Sequence, residues 1–233
     1  MTAYRHPPQR PLEIHVNETS QIVTKPSSRR TQMERRATSE LKIIDAAINV
    51  ISSKGTVRMT LAEVGTMAGY SRGLPAHLFG SKENLLIRVV ESFIENRWSC
   101  MLPNFEPGRG ADGIFESIKR WIDGTIKHPE YARTIQILIG EASCTDSTEV
   151  SPVLAERIRT MDNWARERLF NYLLEGKQQG QLQDHIDPFL HSIIIANGVS
   201  GIIGQWSLNT AAFDLRKVGQ LYLREIKKLI LKA

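Results

Sequence analysis

Residues 58–86 read RMTLAEVGTMAGYSRGLPAHLFGSKENLL. Their spacing predicts two short helices around a glycine turn, with a third helix opening immediately afterwards. Thr60-Leu61-Ala62-Glu63 has the form of a capping box, a Thr N-cap answered by Glu three residues on. Leu61, Val64 and Ala68 then share one helical face. Ala68-Gly69 ends that helix, because glycine tolerates the left-handed backbone such a stop needs. Ser71 to Phe79 supplies the second helix, and Ser81 is placed to cap a third beginning at Lys82. A helix-turn-helix of this kind presents its second helix to the DNA major groove.

Working outward, the same signals recur along the chain. Leu41, Ile44, Ile48 and Ile51 form the stripe of a first helix over residues 38–53, ended by Gly55. That helix has to cover the motif, since two helices of eight or nine residues bury no core alone. A fourth helix is expected over residues 82–101, stopped by Pro103 and followed by a Gly/Pro-rich loop to Gly113. Further helices are expected over 113–127 and 130–142, separated by His128-Pro129, and over 152–179, opened by Ser151-Pro152. Asp187-Pro188 opens an eighth that ends near Trp206, and Phe213-Asp214-Leu215 opens a ninth. No strand signal is present, so the fold class is all-α. The domain division is a flexible basic arm over 1–37, a helix-turn-helix domain over 38–84, and a larger helical domain over 85–233.

Thr60, Ala68-Gly69, Ser71-Arg72-Gly73, Phe79, Ser81-Lys82-Glu83 and Leu85-Leu86 together resemble the DNA-binding segment of the TetR/AcrR family of transcriptional regulators. The resemblance covers residues 38–90. It implies an all-helical homodimer with a helix-turn-helix in its first three helices and a C-terminal domain holding a small-molecule pocket and the dimer surface. Two positions depart from the family pattern. The tyrosine that usually contacts a DNA phosphate is replaced by Ala76, preceded by Pro75, and Gly65 stands where alanine is usual. Proline is tolerated only in a first helical turn, which moves the recognition-helix start to Leu74 with Gly73 as cap. His77 and Tyr70 are the alternatives for the missing phosphate contact.

The charge distribution agrees. The chain of 233 residues carries a net charge of +5. Residues 25–88 hold eleven Lys/Arg against five acids, residues 1–24 balance, and residues 91–233 hold seventeen against eighteen. Positive charge therefore gathers on the motif, as release of phosphate counterions favours. Arg29-Arg30 and Arg35-Arg36 are placed to reach the minor groove or the backbone from the arm; the alternative is a solvated tail.

The resemblance implies an interface in which Thr60 and Lys82 hold phosphates at helix starts. Ser71, Arg72 and Gly73 begin the reading helix, Arg72 meets guanine or phosphate, Leu74 meets a thymine methyl and His77 meets a base or phosphate. Arg58 and Tyr70 complete the set. The pocket is expected to draw on Trp98, Trp121, Glu141, Trp164 and Tyr172, with Phe105, Phe115, Arg120 and His128 in reach. The apolar eighth helix carries Gly198, Gly201 and Gly204, which implies close approach of a neighbour. Ile194, Gly198, Gly201, Ile202, Leu215, Tyr222 and Ile226 are expected at a dimer interface; the alternative is an intrachain core.

Other chemistries find less support. Gly69-Tyr70-Ser71-Arg72-Gly73 matches the G-x-S-x-G nucleophile elbow, but that elbow needs a strand before the serine and a capped helix stands there instead. The six histidines show no metal-ligand spacing, with each other or with Cys100 and Cys144. No phosphate-binding glycine loop is present, so neither cofactor nor metal is expected. Two cysteines without a C-x-x-C motif or secretory signal suit a reducing cytoplasm. Residues 189–206 are apolar enough to suggest a membrane span but include His191, Asn197 and Gln205, which fits a buried helix better. The expected function is a dimeric transcriptional repressor released from a double-stranded operator by a small-molecule effector. The alternatives are an effector-independent DNA-binding protein and, more distantly, a hydrolase using Ser71.

Overall fold

The computed structural model describes residues 31–94, 106–143 and 151–232. The expectations for Arg29-Arg30, Trp98, Cys100, Pro103, Phe105 and Cys144 lie outside the described residues. Among those described, nine helices follow in order: α1 Gln32–Lys54, α2 Leu61–Met67, α3 Leu74–Phe79, α4 Lys82–Ile94, α5 Gly110–Lys127, α6 Pro129–Ala142, α7 Pro152–Gln178, α8 Pro188–Leu208 and α9 Leu215–Ile230. The only extended pairing among them is a single bridge, Leu182 to Leu231.

Most helix starts obey local caps. The side chains of Thr60, Ser151, Asp187 and Asp214 each accept a backbone N–H of the following turn. Ser81 does the same from Asn84 at 3.1 Å. The start of α1 corrects the sequence reading. Thr31 and Glu34 form a full capping box, so residues 32–37, Arg35 and Arg36 included, are helix rather than flexible arm. The box at Thr60 is only half made: Thr60 accepts from Glu63 N at 3.3 Å, while the Glu63 carboxylate pairs with Lys54 of α1.

The buried side chains form two clusters. One gathers α1, α2 and α4 with Leu138 of α6 and Leu154, Ile158 and Met161 of α7. The other gathers α5, α8, α9 and the second half of α7 around Ile114, Leu173, Ile195 and Ile230. Helix α7 runs through both, and the stripe its periodicity predicts, Leu154, Ile158, Met161, Ala165, Leu169 and Tyr172, is buried except at half-buried Ala165. Trp121 of α5 packs against both clusters and marks the seam between them. No helix among the described residues is long and apolar enough to cross a membrane.

Candidate nucleic-acid interface and internal cavity

Glycines shape the motif at two points. Gly69 takes φ +77° after α2, and the Tyr70 amide returns to the Gly65 carbonyl at 2.9 Å. Ser71, Arg72 and Gly73 then form a turn, and α3 begins at Leu74 with Gly73 as N-cap and Pro75 in its first turn. Gly80, also at φ +77°, ends the helix after six residues. Ser71 thus lies between two helices, with helix α2 where a nucleophile elbow requires a strand.

This turn and the first turns of α3 expose Ser71, Arg72, Gly73, Ala76 and His77 together, with Arg58 and Thr60 exposed at the entry to α2. Three expected contacts sit differently. Leu74 is half-buried and packs on the head core, which turns it away from a groove. Tyr70 is half-buried, its hydroxyl accepting from Ser39 of α1 at 3.2 Å, with the Lys42 ammonium 5.9 Å from its ring centre. His77, by contrast with Tyr70, is exposed. Lys82 donates through Nζ to the Val57 carbonyl at 3.1 Å, fastening the α1–α2 loop to the start of α4.

A cavity of about 80 Å³ opens at the seam of the two clusters. Trp121 and Trp164 line it, as the resemblance implies, together with Phe93, Met161, Ile135 and Ile203. Its polar wall escaped the sequence reading: Gln136 of α6 donates to the Ser200 hydroxyl of α8 at 3.3 Å, and Asn197, Asp162 and Arg166 border the opening. No local signal marks these residues, because only the crossing of α6, α7 and α8 brings them together. The guanidinium of Arg168 stacks 3.3 Å above the Trp164 ring. Burial pushes its pKa down to about 10, which leaves it charged at neutral pH.

Other residues expected at the pocket lie elsewhere. Tyr172 is buried against Gly113, its hydroxyl accepting from the Glu106 amide at 3.0 Å. Phe115 is buried beneath the Lys227 ammonium, Arg120 pairs with Glu116 at 2.6 Å, and His128 faces Glu130 at 3.4 Å. Glu141 turns towards the head, accepting the Thr56 hydroxyl at 2.6 Å. Two further bonds share that side of α6: Tyr131 donates to Asp45 at 3.1 Å and Thr134 to the Ile48 carbonyl at 3.0 Å. Helix α6 is thus two-sided. Residues 132, 135, 136 and 139 line the cavity, while 131, 134 and 141 are bonded to α1 and the loop after it.

The expected dimer residues also divide. Leu215 and Ile226 are buried within the chain's own core, because the inner face of α9 packs on α5 and α8. Tyr222 lies over Gly198 and donates to the Ile195 carbonyl at 3.0 Å, so that close approach is intrachain. At Gly204 a Cβ would meet Gln136 of α6 at 3.5 Å, an ordinary contact that does not require glycine. Ile202 is half-buried against the second cluster. Ile194 and Gly201 belong instead to an exposed α8 stripe with Leu190, Asn197, Gln205 and Leu208. Ile194 is 54% and Leu208 82% exposed, a large apolar exposure for one helix face.

Residues 43–89 match the family model described as bacterial regulatory proteins, tetR family. The regulator BetI of Rhizobium meliloti is 44% identical over 52 residues, 22% of this chain and 26% of that protein. The first curated relatives are thus matched over only about a quarter to a third of their length. The regulator AcrR of Shigella flexneri is 23% identical over 208 residues, 88% of this chain and 94% of that one. Among solved structures, SmeT, the repressor of the Stenotrophomonas maltophilia multidrug efflux pump SmeDEF, superposes with a TM-score of 0.64. It is 22% identical, over 83% of this chain and 90% of SmeT. FadR of Bacillus subtilis in complex with stearoyl-CoA gives 0.66 at 20% identity, over 79% and 95%. At these identities the structures establish a shared fold.

Proposed function

We propose, from the match of residues 43–89 to the tetR family of bacterial regulatory proteins, that this chain is a dimeric, sequence-specific DNA-binding regulator that represses transcription until a small molecule enters the cavity. The observation that carries this reading is the joint exposure of Arg72 on the turn and of Ala76 and His77 on a reading helix whose other side is buried in the head. Arg72 reads guanine or holds a phosphate, His77 reaches a base edge or the backbone, and Arg58 and Thr60 set register on phosphates. A six-residue helix reads few base pairs, so useful specificity calls for two heads on a two-fold site about 34–36 Å apart. The exposed α8 stripe through Ile194, Gly201 and Leu208 supplies the surface for that pairing.

The complexes of SmeT with triclosan and of FadR with stearoyl-CoA, proteins of the same fold, support a ligand role for the cavity here. Helix α6 gives that role a physical route. A ligand that moves Ile135, Gln136 or Ile139 also moves the bonds to Asp45, Ile48 and Thr56, and with them the head. The test is fluorescence anisotropy of the purified protein on DNA from upstream of its own gene and on random DNA, across a salt series. Specific binding with a salt-dependent non-specific background is the expected result. Equal affinity for both DNAs would support a structural DNA-binding protein instead.

A further inference from the structure

The cavity walls restrict the shape and charge of what they hold. Its volume, about 80 Å³, lies far below the ~300–1,000 Å³ of drug-sized sites and nearer the ~150 Å³ that holds a benzene ring. A single ring is the rigid body nearest in size to that space. Trp121 and Trp164 contribute aromatic side chains to the lining, and Met161 adds a polarizable thioether.

Polar side chains share the lining, and Gln136 and Ser200 form a bonded pair among them. The Ser200 hydroxyl accepts from Gln136 Nε2 and retains its own proton to donate, while Gln136 Oε1 remains an acceptor. This pair suits a group that both accepts and donates, such as a hydroxyl. Charge is arranged against cations: the Arg168 guanidinium already occupies one face of Trp164 at 3.3 Å, which drains the ring of the electron density a second cation would seek. Asp162 and Arg166 stand at the opening with opposite signs.

We propose that the cavity takes a single-ring, uncharged aromatic compound bearing one hydroxyl, its ring between Trp121 and Trp164 and its hydroxyl on the Ser200–Gln136 pair. This names the chemical class of the effector and rests on the regulator reading above for its biological consequence, though not for the binding itself.

The test is titration calorimetry of the full-length protein with four probes: phenol, toluene, benzyltrimethylammonium and stearate. Phenol is expected to bind, with the quaternary ammonium at least about tenfold weaker, because its charge meets the field of Arg168. Ser200→Ala is expected to weaken phenol about five- to tenfold, the value of one hydrogen bond, and to leave toluene unchanged. A second variant, Ala196→Trp, fills the space and is expected to abolish phenol binding while circular dichroism stays helical. Three results would overturn the proposal: equal affinity for the cation, binding of stearate with none of phenol, or a Ser200→Ala effect equal for phenol and toluene. Operator affinity is read separately. Phenol binding that leaves DNA affinity unchanged upholds the ligand class and removes ligand release from the regulator reading.

Discussion

Pro75 stands against Gly65: a Cβ on Gly65 would lie 3.0 Å from Pro75 Cδ and 2.6 Å from the Ser71 carbonyl oxygen. Gly65 is one of the two departures from the pattern the motif resembles and Pro75 precedes the other, Ala76; Gly65 and Pro75 form a single packing arrangement. Glycine in α2 lets the turn carrying Ser71 approach, and the buried proline ring closes over the space. Gly65→Ala gains about 1 kcal/mol of helix propensity but meets fixed backbone, at an overpacking cost of about 1–3 kcal/mol. A net loss of up to about 2 kcal/mol in urea unfolding is expected. Adding Pro75→Ala should recover only part of it, since the Ser71 carbonyl remains.

The interface residues separate by salt dependence. Arg72→Ala is expected to cost about 1–3 kcal/mol on the cognate site and little on random DNA if it reads a base. An equal loss on both would make it a phosphate contact. Lys82→Ala should weaken all sequences alike and lower the salt slope by about one. Because Lys82 also ties down the Val57 carbonyl, it should lower the melting temperature as well, which Arg72→Ala should not.

Glu141 tests the route from cavity to head. Thr56 is buried, and its hydroxyl depends on the Glu141 carboxylate. Glu141→Gln keeps the size but weakens a charge-assisted bond, with an expected loss of about 1–2 kcal/mol. Hydrogen exchange should rise at residues 55–59 while the cavity helices α7 and α8 keep their protection. Exchange unchanged in that loop would show that α6 does not hold it.

The dimer surface is tested at Ile194. An Ile194→Asp substitution places a charge in the middle of the exposed α8 stripe and touches none of the intrachain core. Sedimentation velocity should show a dimer for the parent chain and a monomer for the variant, with helicity unchanged. A variant that remains dimeric would move the interface elsewhere.

Glu175 supplies a pH-dependent contribution to stability. Its carboxylate accepts the Gly108 and Gly110 amides at the entry to α5, and these backbone bonds, Gly108 first, hold its pKa below the ordinary carboxylate value. A lowered folded pKa means the contribution is complete above the unfolded carboxylate pKa and disappears as pH falls through the folded one. The melting-temperature gap between the parent and Glu175→Gln should therefore be full at pH 6 and close on acidification below about pH 4. A gap that persists unchanged at low pH would show that the amide replaces the carboxylate's role or that the bonds are not made.

The helical fold, the motif and most helix boundaries were legible in the sequence because each rests on residues within one turn of each other. Thr60, Ser81, Ser151, Asp187 and Asp214 cap the backbone beside them, and glycine ends helices through its own φ. Even the early start of α1 was locally encoded, in the Thr31–Glu34 box that the reading passed over. The periodicity of α7 likewise named its buried face.

Only the tertiary structure decided which neighbour each side chain meets. Glu141 and Trp121 are both polar-tipped or aromatic residues on pocket-forming helices, yet one braces the head and the other lines the cavity. Leu215 and Ile194 are both apolar and near the chain's end, yet one is core and the other exposed. Helical periodicity tells which residues share a face, and says nothing about which partner that face will find. The partner is set by how helices distant in sequence cross, and in this chain those crossings create the seam, the cavity and the two-sided α6.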